Sequence, residues 1–209
     1  MNRRLPLLAA AVVLAAGGCT AIAVGHSEEL PAVVNSPSPP PADAPRSSDG
    51  ELTSGLLLPT SPPTRVEIPA LRVRESVIGL GQQADGSMAV PADARTIGWY
   101  TKAPTPGALG PAVLAGHVDL HGKAGTFARL STLEKGDQVR VTRQDGRVAV
   151  FAVTAVDRYP KNQFPADAVY GAIDHAGLRL ITCGGDFDRS AGHYVDNIVV
   201  YADLRDVTG

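Results

Sequence analysis

A cysteine and a histidine, both capable of covalent or acid–base chemistry, each follow a short apolar segment of the sequence. His117 lies in the segment AGHVD (115–119), and Cys183 lies in LITCGG (180–185). A free thiol has a pKa of about 8.5 and is mostly protonated at neutral pH, but a nearby cation raises the thiolate fraction. A histidine that is adjacent in space can have this effect and then transfer the proton. The two segments therefore indicate nucleophilic catalysis by Cys183, with His117 as the general acid and base.

Two other interpretations of this pair are open. Cys183 could be a small core residue and His117 a buried polar residue with satisfied hydrogen bonds, although the glycines beside both suggest close approach of another backbone or a ligand. A metal site could combine them with His121, but a spacing of four residues aligns two histidines only on a helix, and Gly122 argues against a helix there. We therefore expect no metal and no other cofactor.

The composition excludes several classes of protein. The chain has 209 residues, a formal net charge of −2 and two cysteines. A net negative charge does not indicate the positively charged surface that nucleic-acid-binding proteins usually have. Two cysteines are too few for a disulfide-dense scaffold or a four-cysteine zinc site. The second cysteine, Cys19, lies in an apolar N-terminal run, so a disulfide with Cys183 is implausible and Cys183 is expected to be free.

The first part of the chain is the apolar N-terminal run that contains Cys19. Residues 5–24 carry no charge, and Arg3 and Arg4 precede them. About 20 apolar residues can cross a bilayer, and a basic flank favours a cytoplasmic N-terminus. We predict that residues 1–25 are a single-pass anchor with the rest of the chain outside the cytoplasmic membrane. A cleaved secretory signal and a lipoprotein modified at Cys19 are the alternatives.

Residues 26–64 are predicted to be a disordered linker. They contain nine of the chain's 17 prolines, mixed with serine, aspartate and alanine. Such a composition favours an extended, solvated spacer. A proline-rich ligand for an aromatic groove is the alternative, and the apolar segment 52–60 is the part that could contact the domain that follows.

Residues 65–209 are predicted to be one folded domain composed mostly of strands. Turn dipeptides at Asp85-Gly86 and Asp145-Gly146 each separate two strand-like segments. The predicted strands are 65–68, 73–80, 87–90, 112–115, 138–142, 148–155, 178–182 and 197–202, with short helical turns at 127–130 and 165–170. Many short strands with glycine and proline turns favour an all-β barrel or sandwich.

The motifs resemble those of sortases, the membrane-anchored cysteine transpeptidases of Gram-positive bacteria. TCGG (182–185) and AGHVD (115–119) look like the cysteine and histidine motifs of that family. Collinear segments that extend the resemblance are IGWY (97–100), PTPGALGPAVLAGHVD (104–119), LEKGDQVRV (133–141), VYG (169–171) and GHYVDNIVVYA (192–202). The arrangement is most similar to the actinobacterial class F sortases.

The resemblance implies a closed eight-stranded β-barrel and a reaction in two acyl-transfer steps. Cys183 would attack a sorting-signal peptide of a surface protein and form a thioacyl intermediate. His117 would protonate the leaving amine and then deprotonate an incoming amine, such as that of a peptidoglycan precursor. A peptide hydrolase that uses the same pair, or a non-catalytic surface lipoprotein, is the alternative function.

The resemblance also implies an arginine about a dozen residues after the cysteine, but Val195 and Asp196 occupy that place. Arg189 is the predicted replacement, as a stabiliser of the oxyanion or the substrate. The other candidates are Arg179, Arg72 and Arg74. Two further residues are predicted to support the catalytic pair: Asp119, which could orient His117 or simply occupy a turn, and Thr182.

Overall fold

Short strands with alternating apolar and polar residues form most of the protein, of which the computed structural model describes residues 55–83 and 88–209. The strands in these ranges are β1 (Pro63–Ile68), β2 (Val73–Leu80), β3 (Ile97–Tyr100), β4 (Gly110–Ala115), β5 (Asp119–Leu120), β6 (Lys123–Ala124), β7 (Gln138–Arg143), β8 (Val148–Pro160), β9 (Ala176–Asp188) and β10 (His193–Thr208). One helix, α1 (Ala166–Tyr170), and three 3-10 turns, Pro69–Leu71, Leu130–Thr132 and Lys161–Gln163, complete the described elements.

Eight of these strands close into a barrel in the order β1-β2-β3-β4-β9-β10-β8-β7, and β5 and β6 form a separate two-stranded sheet. Alternate residues of the barrel strands, such as Val139 and Val141 on β7, point into one buried hydrophobic core. Closure leaves no free sheet edge. The predicted all-β fold, a closed eight-stranded barrel with short helical turns, is confirmed.

Strands β4 and β9 are buried on both faces because both faces are covered, and most of their buried side chains are apolar. All six residues of β4 are buried, and so are the first seven of β9. Their inner face joins the barrel core. On the outer face, Val113 and Ile181 pack in a second cluster with Val199 and with Val169 of α1. Such coverage is typical of parallel strands, and β4 and β9 do pair in parallel.

Most predicted strands match observed ones, and two local differences have clear causes. Of the predicted strand 87–90, the structure shows an isolated bridge from Met88 to Gln82, and the predicted turn at 85–86 lies outside the described residues. The strand β3 was missed, because four residues that contain Gly98 show too little alternation to be recognised. Its partners are β2, in parallel, and β4, in the antiparallel sense.

Residues just before the predicted domain boundary at residue 65 already pack on the barrel. Leu58 is buried, and its amide donates to the carbonyl of Gly107. The fully buried guanidinium of Arg143 donates to the carbonyls of Pro59 and Pro106 and forms an ion pair with Asp145. Arg143 therefore fastens the segment that precedes β1 to the barrel.

The predicted membrane anchor and most of the predicted linker lie outside the described residues. Within residues 55–83 and 88–209, no helix has the length and apolar character needed to span a membrane.

Replacing Arg143 by alanine should lower the free energy of unfolding by about 2–3 kcal/mol, because the buried carbonyl of Pro106 and the partly buried carbonyl of Pro59 would lose their donor. Urea denaturation of the full chain measures the effect. Arg140→Ala is the matched control, since Arg140 is exposed on the same strand and, among the described residues, its side chain forms hydrogen bonds to Gln138 alone. This variant should change stability by less than about 0.5 kcal/mol. Equal losses in the two variants would contradict this role of Arg143.

Candidate active site

The parallel pairing of β4 and β9 brings the predicted histidine and cysteine to one end of the barrel. Ala115 pairs with Ile181, and neighbouring strands lie about 4.8 Å apart. His117 and Cys183 each follow that pair by two residues along strands that run in the same direction. The two motifs are therefore neighbours in space although 66 positions separate them in the sequence.

Backbone hydrogen bonds to β9 and to Phe127 fix the chain around His117. The amide of Gly116 donates to the carbonyl of Ile181 at 3.2 Å, and the carbonyl of His117 accepts from the amide of Phe127 at 2.9 Å. A Cβ on Gly116 would lie 2.8 Å from the buried ring of Phe127. The glycine before the histidine therefore permits a close approach, as the sequence indicated, and the close neighbour is an aromatic ring.

The imidazole of His117 bonds to a backbone carbonyl. Its Nε2 lies 2.8 Å from the carbonyl oxygen of Pro91, in the connection between β2 and β3. A carbonyl oxygen can only accept, so Nε2 carries the hydrogen and Nδ1 is the nitrogen that can exchange a proton when the ring is neutral.

A cleft of about 520 Å³ contains both His117 and Cys183. Cys183 is half-buried and is a free cysteine. His193 and Lys161 line the same cleft. The rest of its wall is largely apolar and includes Met88, Val90, Pro91, Tyr170, Ile181 and Phe187. This cleft can hold an extended chain with apolar side chains beside the thiol.

A second cleft, of about 330 Å³, lies next to Cys183 and contains an arginine that the sequence analysis did not nominate. Arg158 lies on β8 and pairs with Ile198 of β10, which in turn pairs with Thr182 of β9. Arg158 lies near Thr182 and Cys183 only because of the pairing registers of β8 with β10 and of β10 with β9. No short motif around Cys183 could have revealed it.

The nominated arginine, Arg189, lies in the exposed turn between β9 and β10 and lines neither cleft that contains Cys183. Of the alternatives, Arg179 is buried over the ring of Tyr201, with its Cζ 4.6 Å from the ring centroid. Arg72 is at the end of the first 3-10 turn, and Arg74 forms an ion pair with Glu67 of β1. None of these four lines a cleft with Cys183.

Asp119 bonds to a tyrosine rather than to the imidazole of His117. The hydroxyl of Tyr194 on β10 donates to the carboxylate of Asp119 on β5. This bond raises the pKa of Tyr194 and keeps the phenol protonated as a donor. Tyr194 lines both clefts beside Cys183. The bond therefore joins the segment that follows His117 to the strand that follows Cys183.

Thr182 is buried next to Cys183, and its hydroxyl has no hydrogen-bond partner among the described residues. A buried hydroxyl without a partner costs about 1–3 kcal/mol.

In the part of the chain that the structure describes, no three histidine, cysteine, aspartate or glutamate side chains are grouped as a metal site requires.

Comparisons with known proteins agree with this architecture. The family model of the sortase domain matches residues 66–205. No curated protein matches the sequence significantly. Among solved structures, sortase C1 of GBS Pilus Island 1 is 17% identical with a TM-score of 0.54, SrtA sortase from Actinomyces oris is 20% identical with 0.53, and sortase A of Listeria monocytogenes is 16% identical with 0.54.

The matches cover 68%, 70% and 70% of this chain, in the same order, and 64%, 81% and 89% of the solved chains. The chain thus spans just under two thirds of the first structure's length. At these identities the structural matches establish the fold, and the family model establishes the membership. The chain belongs to the sortase family, whose members are cysteine transpeptidases, and the predicted enzyme class is confirmed at that level.

The bond to Pro91 predicts the tautomer of the neutral His117 ring. Long-range ¹H–¹⁵N NMR of the histidine-labelled protein should show the hydrogen on Nε2 at a pH where the ring is neutral. The His117→Ala variant assigns the signal by its loss. Observation of the Nδ1–H tautomer would contradict the geometry.

Proposed function

We propose that the protein is a transpeptidase that cleaves a sorting-signal peptide through a thioacyl intermediate on Cys183 and transfers it to an amine of the cell envelope. The main support is that, in a chain of the sortase family, a free thiol and a histidine share one cleft just past the last pair of the parallel strands β4 and β9.

The acyl transfer proceeds from a thiolate at Cys183 and a protonated His117. The sulfur attacks a backbone carbonyl carbon, a C–S bond forms, and the carbonyl electron pair moves to the oxygen. When this intermediate collapses, the C–N bond breaks and the leaving amine takes a proton from His117. Because Nε2 is bonded to Pro91, this proton leaves from Nδ1.

The second step reverses the proton transfer. An incoming amine attacks the thioester, His117 accepts the amine's proton at Nδ1, and the C–S bond breaks to regenerate the thiolate. Water in place of the amine would give hydrolysis with the same residues, so the two outcomes differ only in the second nucleophile.

The shape and polarity of the larger cleft support a peptide substrate. Its apolar wall extends from the β2–β3 connection across Ile181 to Phe187, which is half exposed. Exposed apolar side chains around a concave site are typical of a binding groove. The surface proteins that carry a sorting signal are the proposed partners, with a peptidoglycan precursor as the proposed amine acceptor.

We further propose that the protein is a class F sortase anchored in the cytoplasmic membrane. The collinear motifs from IGWY (97–100) to GHYVDNIVVYA (192–202) support the class. The uncharged segment 5–24 after Arg3 and Arg4 supports a single-pass anchor with the N-terminus inside and the catalytic domain outside.

His117→Ala should reduce peptide cleavage by at least about 10²-fold, because the leaving amine loses its general acid. Cleavage of a library of fluorogenic sorting-signal peptides by the full chain measures the rate. The matched control is His121→Ala, since His121 is an exposed histidine that lines neither cleft beside Cys183. It should keep the rate within about threefold, and a reversed order of the two variants would reject the role of His117.

Product analysis with and without an added amine separates transfer from hydrolysis. The proposal expects a peptide–amine conjugate that forms at the expense of the free acid. Free acid alone, at every amine concentration, would identify a hydrolase. Full cleavage by Cys183→Ala would reject both enzyme functions.

A further inference from the structure

Arg158 lies beside the backbone that carries Cys183, on the side of the second cleft. Arg158 lines this cleft together with Thr182, Cys183 and Gly184. Through the pairings of β8 with β10 and β10 with β9, the Cα atoms of Arg158 and Thr182 are separated by two strand spacings, roughly 10 Å. The guanidinium spans part of that separation and lies against Gly185, two residues after Cys183.

A buried carboxylate holds this guanidinium in place. Nε of Arg158 donates to Asp196, whose side chain is 9% exposed, whereas the side chain of Arg158 is 58% exposed. A buried carboxylate without a partner is unfavourable, so Asp196 strongly favours the paired arrangement. The result is a fixed cation with its outer part open to the cleft.

A glycine lets this pair lie against the chain directly after the cysteine. A Cβ on Gly185 would lie 2.8 Å from Nη2 of Arg158 and would also collide with the carboxylate of Asp196. Gly185 has a φ of +78°, which other residues rarely adopt. The second glycine of the TCGG segment thus makes room for the cation two residues after Cys183.

We propose that Arg158, positioned by Asp196, stabilises the negative charge that develops on the carbonyl oxygen when the thiolate of Cys183 attacks. This inference rests on the proposed function, and it assigns the cation to a strand on which the sequence resemblance places none. Asp196 occupies the place where the resemblance implies an arginine. Its carboxylate forms an ion pair with Arg158 of the neighbouring strand β8 and so holds that arginine near the same place.

One other permanent cation lines a cleft with Cys183 among the described residues. Lys161 is in the larger cleft, and the structure shows no ion pair for it. A preorganised donor stabilises a developing charge better than a mobile one, because it needs no reorganisation during the reaction. Arg158 is fixed by Asp196, so Arg158 and not Lys161 is expected to govern the acylation rate.

Acetylation of Cys183 by p-nitrophenyl acetate tests the assignment without a known peptide. The thiolate attacks the ester carbon, the carbonyl electron pair moves to the oxygen, and the C–O bond then breaks to release p-nitrophenolate. Single-turnover release by the full chain should fall about 10²-fold in Arg158→Ala. Arg189→Ala, the matched control, should stay within about threefold. Lys161→Ala should lose less activity than Arg158→Ala, and Asp196→Asn should lie between the wild type and Arg158→Ala.

Added guanidinium ion separates a charge effect from a structural one. It should restore at least a tenth of the wild-type rate to Arg158→Ala and leave the Cys183→Ala background unchanged, while thermal unfolding shows both variants folded. A rate for Arg158→Ala within threefold of wild type, or a loss that free guanidinium does not rescue, would overturn the assignment. Failure of every peptide while this ester still acetylates Cys183 would reject the proposed function and leave the role of Arg158 standing.

Discussion

The parallel pairing of β4 with β9 sets the positions of His117 and Cys183. Both strands run in the same direction, and each reactive residue follows the last pair, Ala115 with Ile181, by two residues. Parallel strands need cover on both faces. The barrel core covers one face of this pair, and the cluster that contains Val169 covers the other. These two clusters hold β4 and β9 side by side up to the residues that precede His117 and Cys183.

Each reactive residue lies just beyond the buried part of its strand, where glycine permits contacts that a side chain would block. Gly116 admits the ring of Phe127 next to His117, and Gly185 admits the pair of Arg158 and Asp196 after Cys183. A hydrogen bond from Tyr194 to Asp119 joins the segment that follows His117 to β10, the strand that follows Cys183. Packing thus sets the backbone, while a few polar contacts orient the chemical groups.

The parts of this structure that local sequence determines could be predicted, and those that depend on register could not. Apolar segments bounded by turn residues revealed β4, β7 and β9, and the motifs at the strand ends revealed Cys183 and His117. Arg158 is 25 positions before Cys183, and two antiparallel pairings place it in register with Thr182, the residue before the cysteine. The carbonyl of Pro91 carries no side-chain signal at all, so its bond to His117 is invisible in the sequence.

Catalysis as proposed requires that Cys183 forms a covalent acyl intermediate. Mass spectrometry of the full chain, quenched in acid during reaction with a library of sorting-signal peptides and then digested, tests it directly. We expect an acyl adduct on the proteolytic peptide that contains Cys183, and no adduct in Cys183→Ala. Cleavage of sorting-signal peptides while Cys183 stays unmodified at every quench time would show that Cys183 forms no such intermediate.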